Sequence, residues 1–129
     1  MVGFMGSDGG FPTSADAVPP ALVAVATIGP VTVVHISGEI DMTSRDAVER
    51  VLNRTVDNRP EAVVVDLSAV TFFGSSGLQM LAEARAHATA HEVPLRLVAS
   101  SRKVLRPLEI TGMTTLFAVY ASVTEAVSG

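Results

Sequence analysis

The sequence contains no cysteine and no tryptophan. The first absence removes disulfides, thiolate nucleophiles, thiol redox sensing and every cysteine metal site. It is neutral about compartment but fits a reducing cytosol. Tyrosine occurs once, so a large aromatic hot spot is not expected. Basic residues are sparse: 9 Lys and Arg stand against 13 Asp and Glu, for a net charge of −4. That is no footprint for nucleic acid, and a mildly acidic surface repels phosphate backbones and anionic lipid. No apolar run approaches the ~20 residues needed to span a bilayer. The opening MVGFMGSDGG has neither a basic start nor a useful apolar stretch, so it does not read as a signal peptide. These absences predict a cytoplasmic protein without direct contact to membrane or nucleic acid.

What is present fits one folded domain. The chain has 129 residues, and 48% of them are apolar against 17% charged, which supports a single core and excludes wholesale disorder. Residues 1–20 are rich in Gly, Pro, Ser and Asp and show no period, so they read as a flexible tail ahead of a domain over 21–129. Two β-rich runs, 21–28 and 31–37, flank Gly29-Pro30 and predict a hairpin, with Gly38 to Asp41 closing its second strand. Thr43 or Ser44 is placed to cap a helix, and Val48, Val51, Leu52, Thr55 and Val56 recur at spacings of 3 and 4 up to about Asp57.

Pro60 follows, then the short valine run 62–67, the pattern of a strand buried on both faces. A second helix is expected from Ser76 to about Glu92, with Leu78, Leu81, Ala82, Arg85 and Ala86 along one side. A strand at 95–99 leads to a third helix behind Ser100-Ser101, carrying Val104, Leu105 and Leu108. Pro107 should kink or shorten it, and Gly112 is placed to terminate it. A strand at 116–120 and a helical turn over 122–127 close the chain. The order β-β-α-β-α-β-α-β-α predicts an α/β fold, a mixed sheet with parallel crossovers and packed helices.

Catalytic patterns fail one by one. His35 lies inside a strand between Val34 and Ile36 and reads as a structural residue. His87 and His91 share a helix face by their spacing, but no Glu completes a His-Glu-x-x-His motif and no third ligand is evident nearby. They read as a solvated helix end, so neither a metal nor another cofactor is expected. Gly74-Ser75-Ser76-Gly77 is not Gly-x-Ser-x-Gly, because its glycines are one position too close, and no Lys follows to make a phosphate loop. A small serine hydrolase remains the weakest of the alternatives.

What remains is a loop that delivers Ser75-Ser76 to a helix start. The bland reading is an N-cap worth ~1 kcal/mol. The flanking Gly74 and Gly77 point further, to hydroxyls left uncovered and open to the close approach of another backbone. A phosphate there would bring about −1.5 to −2 charges, which a helix N-terminus tolerates and an opposing partner surface would not.

The segment Asp66-Leu67-Ser68-Ala69-Val70-Thr71-Phe72-Phe73-Gly74-Ser75-Ser76-Gly77-Leu78 resembles the phosphorylation segment of bacterial anti-sigma factor antagonists, which are single STAS domains. Gly38-Glu39-Ile40-Asp41 resembles their second signature. Leu108-Glu109-Ile110-Thr111-Gly112-Met113 with Leu116-Phe117 resembles the third. The resemblance implies a protein without catalysis of its own. Unmodified, it would bind an anti-sigma factor of kinase-like ATPase fold and so release a sigma factor. The kinase partner would phosphorylate Ser75, with Ser76 the second choice, and a PP2C-type phosphatase would reverse this. Asp41 maps beside the acceptor. The implied partner surface is Asp41, Gly74, Ser75, Ser76, Gly77 and Leu78. Many members carry Asp immediately before the acceptor, where this chain has Gly74. The alternative is a STAS scaffold or ligand-sensing module without regulated phosphorylation.

Overall fold

The computed structural model describes residues 21–129, and the segment read as a tail lies outside them. Strands β1 (Ala21–Ile28) and β2 (Val31–Ile40) form the expected antiparallel hairpin. Gly29 takes a left-handed φ of 62° at its turn, a conformation open to glycine at little cost. There follow α1 (Arg45–Asp57), β3 (Ala62–Phe73), α2 (Ser75–Ala90), β4 (Leu95–Val98), α3 (Arg102–Ile110), a 3-10 turn (Met113–Thr115), β5 (Ala118–Tyr120) and α4 (Val123–Ser128). The sheet order is β1-β2-β3-β4-β5, and every pair after the hairpin is parallel. Because the parallel strands advance in one direction, right-handed crossovers put α1, α2 and α3 on the same face.

That face holds the main core. Ile36, Ile40, Val63, Val65 and Leu67 meet Val48, Leu52 and Val56 of α1, Met80, Leu81 and Ala84 of α2, and Val104 and Leu108 of α3. The opposite face carries a smaller cluster of Val31, Val33, Ala62, Val64 and Val98 against Ala126 of α4. The first four residues of β3 are therefore buried on both sides, as the valine run predicts.

Three elements depart from expectation. Strand β3 runs to Phe73 instead of ending near Leu67. It does so through two bulges: His35 and Ser37 pair with Asp66 and Ala69, and Gly38 and Glu39 pair with Val70 and Phe72. Each bulge adds a residue and disrupts the regular alternation read from sequence.

Helix α2 starts one residue earlier than expected and ends at Ala90. Its buried face is Gly77, Met80, Leu81, Ala84 and Ala88, while Ala82 and Ala86 are exposed. At its end the Val93 amide donates to the Ala88 carbonyl at 2.9 Å and the Glu92 amide to Thr89 at 3.1 Å, the paired bonds of a Schellman turn. Glu92 supplies the left-handed residue, with φ 59°, that hides the helix end from a search for glycine.

Helix α3 keeps Pro107 inside its nine residues. It stops soon afterwards, and Gly112 follows with φ 77° as the expected terminator. Strand β5 is shorter than expected, because Met113–Thr115 coil into the 3-10 turn and place Leu116 and Phe117 before the strand.

Candidate functional site

The adjacent parallel strands β2 and β3 end at Ile40 and Phe73, and helices α1 and α2 begin just beyond them. Their connections enclose an open depression of about 200 Å³, lined by Ile40, Asp41, Met42, Phe72, Gly74, Ser75 and Ser76. The two segments singled out in the sequence, Gly38 to Asp41 and Gly74 to Leu78, thus meet at one place.

Asp41 builds the first wall. Its Oδ1 accepts from the Thr43 hydroxyl at 2.7 Å, the Thr43 amide at 2.9 Å and the Ser44 amide at 3.1 Å. These donors favour the ionised carboxylate and hold its pKa below the usual Asp value, with the Thr43 hydroxyl as the largest cause. Ser44 stands at the N-cap position of α1, yet its side chain caps nothing in the helix. Its Oγ donates to the Glu39 carbonyl at 2.9 Å and accepts from the Asp41 amide at 3.0 Å. The expected Thr43 or Ser44 cap is therefore corrected: the Asp41 carboxylate satisfies the amides ahead of α1.

Ser75 and Ser76 occupy the first two positions of α2, and the N-cap is Gly74. The simple reading of either serine as the cap is thereby overturned. Gly74 has no side chain to cap with, and its carbonyl instead accepts from the amides of Gly77 at 3.0 Å and Leu78 at 3.1 Å. Ser75 is exposed and Ser76 half-buried. Among the described residues, neither hydroxyl is tied to a hydrogen-bond partner.

The two glycines differ. A methyl group on Gly77 would lie 2.7 and 2.8 Å from ring carbons of Phe73. Gly77 is buried, and it is small so that α2 can settle on that ring. Its glycine does not serve to uncover the serines. Leu78 is half-buried and packs against the main core. Gly74 has an extended backbone that any residue can adopt, and a methyl group there meets only the Phe72 ring at 3.2 Å.

Sequence reasoning missed Met42 and Phe72, which rim the depression and are 81% and 51% exposed. Phe72 leaves a signal in hindsight. It precedes Phe73, and neighbours on a strand face opposite ways, so a buried Phe73 turns Phe72 outward.

His35 is placed away from this depression. Its Nδ1 lies 2.7 Å from Asp66 Oδ2 across the β2–β3 register, the structural role expected of it. Asp66 also accepts from the Ser68 amide at 3.0 Å and the Ser68 hydroxyl at 2.7 Å, bonds that span the first bulge. Burial raises the Asp66 pKa, but the Ser68 and His35 donors outweigh it and leave the carboxyl below its ordinary value. Ser68 donates to the carboxylate and not to the imidazole, so the trio is not arranged as a nucleophile and its base. His87 and His91 lie at the far end of α2, and the structure brings Asp57 between them, a group the sequence did not place there.

Comparison with known proteins joins this geometry to a family. Residues 23–126 match the STAS domain. The chain is 36% identical over 107 residues to the anti-sigma-F factor antagonist RsfB of Mycobacterium tuberculosis, covering 83% of this chain and 87% of the relative. The crystal structure of an anti-sigma factor antagonist from Mycobacterium paratuberculosis is similar at 34% identity, with a TM-score of 0.78 over 84% of this chain and 92% of that one. The Bacillus cell fate determinant SpoIIAA in its phosphorylated form shares the fold at 14% identity, with a TM-score of 0.65 over 83% and 97%. The chain belongs to the STAS domain family, and its place there is with the anti-sigma factor antagonists.

Proposed function

We propose that this protein binds an anti-sigma factor of kinase-like ATPase fold through the face around Ser75, freeing a sigma factor, and that phosphorylation of Ser75 by that partner ends the binding. A PP2C-type phosphatase restores it. These partners imply action in the cytoplasm, and among the described residues no helix is long and apolar enough to cross a membrane. The similarity to RsfB supports the antagonist role, and the phosphorylated SpoIIAA provides a precedent for the modification within the same fold.

The observation that carries the reading is the setting of the Ser75 hydroxyl. It is exposed at the first position of a 16-residue helix, beside two exposed apolar side chains, in a depression lined by no cationic residue among the described residues. A phosphate on Ser75 meets the positive end of α2, worth ~0.3–1 kcal/mol, so the domain keeps its fold. No Arg or Lys of the lining neutralises the new charge, and the nearby Asp41 adds to it. A docking partner would have to desolvate a dianion, and binding fails for that reason. Among the described residues, the same lining contains no histidine to activate Ser75 as a nucleophile, which favours binding over hydrolysis. Ser75 is favoured over Ser76 as acceptor because it is the more exposed.

The test pairs modification with affinity. Incubation with an anti-sigma kinase and ATP should place one phosphate on Ser75, read by mass spectrometry. Ser75→Ala should retain partner binding, while Ser75→Glu should weaken it by at least about tenfold, or ~1.4 kcal/mol. Equal affinities for wild type and Ser75→Glu would sink the switch.

A further inference from the structure

Asp57 is the last residue of α1, and His87 and His91 stand one turn apart at the end of α2. Asp57 Oδ1 lies 2.7 Å from His87 Nε2 and 3.5 Å from His91 Nε2. One ligand atom from each of the three residues falls within 4.8 Å of the others. The two imidazole rings are tilted against each other with centroids 4.3 Å apart.

The hydrogen bonds fix what each atom can do. His91 Nδ1 lies 2.9 Å from the His87 carbonyl, which can only accept. In the neutral ring the proton therefore sits on Nδ1, and the Nε2 lone pair points toward the Asp57 carboxylate. That lone pair and the carboxylate, 3.5 Å apart, present two acceptors to the same space, which suits a cation. This backbone bond is also the outer contact that orients a metal-binding imidazole. The Schellman turn just beyond Ala90 holds His91 in place.

We infer that Asp57, His87 and His91 form a surface site for one divalent transition metal ion of the zinc type. Tetrahedral ligands at their normal bond lengths stand roughly 3.4 Å apart; the two separations to Asp57 bracket that value, and the pair of imidazole nitrogens lies within 4.8 Å. Small side-chain rotations therefore suffice. The side chains are 53%, 29% and 30% exposed, so a fourth position opens to water. Two imidazoles and one carboxylate favour zinc, nickel or copper over magnesium or calcium. On binding, the Nε2 proton that His87 gives to Asp57 passes to water and Nδ1 carries the ring's one proton, so His87 coordinates through Nε2 as a neutral imidazole. The C-terminal ends of α1 and α2 add negative dipoles that suit a cation. The site lies twelve residues along α2 from Ser75, about 18 Å at the rise of a helix, and is separate from the phosphate-accepting face.

The untagged full chain, stripped with a chelator, is titrated with Zn²⁺ by calorimetry and with Co²⁺ by visible absorption. We expect saturable binding of one ion per chain and d–d bands of tetrahedral Co²⁺ strength. The His87 and His91 imidazole resonances should shift while His35 stays still, a reading on the wild-type protein that needs no variant to fold. Zn²⁺ should raise the melting temperature by a few degrees and Mg²⁺ should not. Asp57→Asn and His91→Ala should each weaken binding at least about tenfold, and His35→Ala should leave it unchanged. Absence of saturable binding, or undiminished binding in both Asp57→Asn and His91→Ala, overturns the site.

Discussion

Two glycines bracket the Ser75-Ser76 pair, and in sequence they look alike. A methyl group separates them. On Gly77 it would press into the Phe73 ring at 2.7 Å and the Ile40 side chain at 3.3 Å, both buried. Neither can retreat without moving α2 off the sheet. Gly77→Ala should therefore cost about 1–3 kcal/mol, the range of an overpacked core. On Gly74 it would meet only the half-exposed Phe72 ring, which can swing into solvent, so Gly74→Ala should cost less, about 0.5–1 kcal/mol, from replacing a favoured N-cap residue by a poor one. Urea midpoints of the two variants decide this, and equal losses would contradict the packing account. Both glycines stand in the segment that resembles the family motif, Gly74 at the place where this chain departs from it. Which of them serves the fold was not legible, because the contact that decides it comes from the ring of Phe73, four residues back at the end of β3.

At the scale of elements, legibility followed the strength of the pattern. Helix α1 was readable because Val48, Leu52, Thr55 and Val56 differ sharply from the charged residues between them, and those four are buried. Helix α2 was readable as a helix, but its buried face was not, because its alanines fit either side. The stripe through Ala82 and Ala86 looks as apolar as the true one through Ala84 and Ala88. The bulges of β3 were hidden for a different reason: they break the period of side chains, and the first of them is spanned by hydrogen bonds from Ser68 to Asp66.

Those bonds make a pH prediction. The Asp66 carboxyl is held below its ordinary value in the fold, so its ionisation stabilises the native state. That contribution is present above the unfolded value of about 4 and is lost as pH falls through the lower folded value. Ser68→Ala removes the hydroxyl donor and raises the folded value toward the unfolded one. The variant should be less stable at neutral pH, and the gap should close as pH falls below the unfolded value and through the lower folded one. Chemical denaturation at a series of pH values measures both. A gap independent of pH would show that Ser68 acts through packing alone.

The whole molecule separates holding the fold from meeting a partner. All three crossover helices pack on one face of the sheet, so the residues that hold the domain together are central. The proposed switch sits at the ends of β2 and β3, outside the core. Met42 and Phe72 are apolar, exposed and adjacent to Ser75, and they come from the β2–α1 connection and the end of β3, which only the tertiary fold unites. Such side chains stabilise the free protein little, because folding leaves them in water. A partner that covers them gains their burial, and a desolvated aromatic is a typical binding anchor. Phe72→Ser and Met42→Ser should therefore each lower affinity for the anti-sigma factor by about tenfold or more, while the melting temperature moves by no more than roughly 2–4 °C. Calorimetric titration and thermal melts of the same samples measure the two quantities. Unchanged affinity in both variants would place the docking surface elsewhere on the domain, and a large fall in melting temperature would return Phe72 to the core.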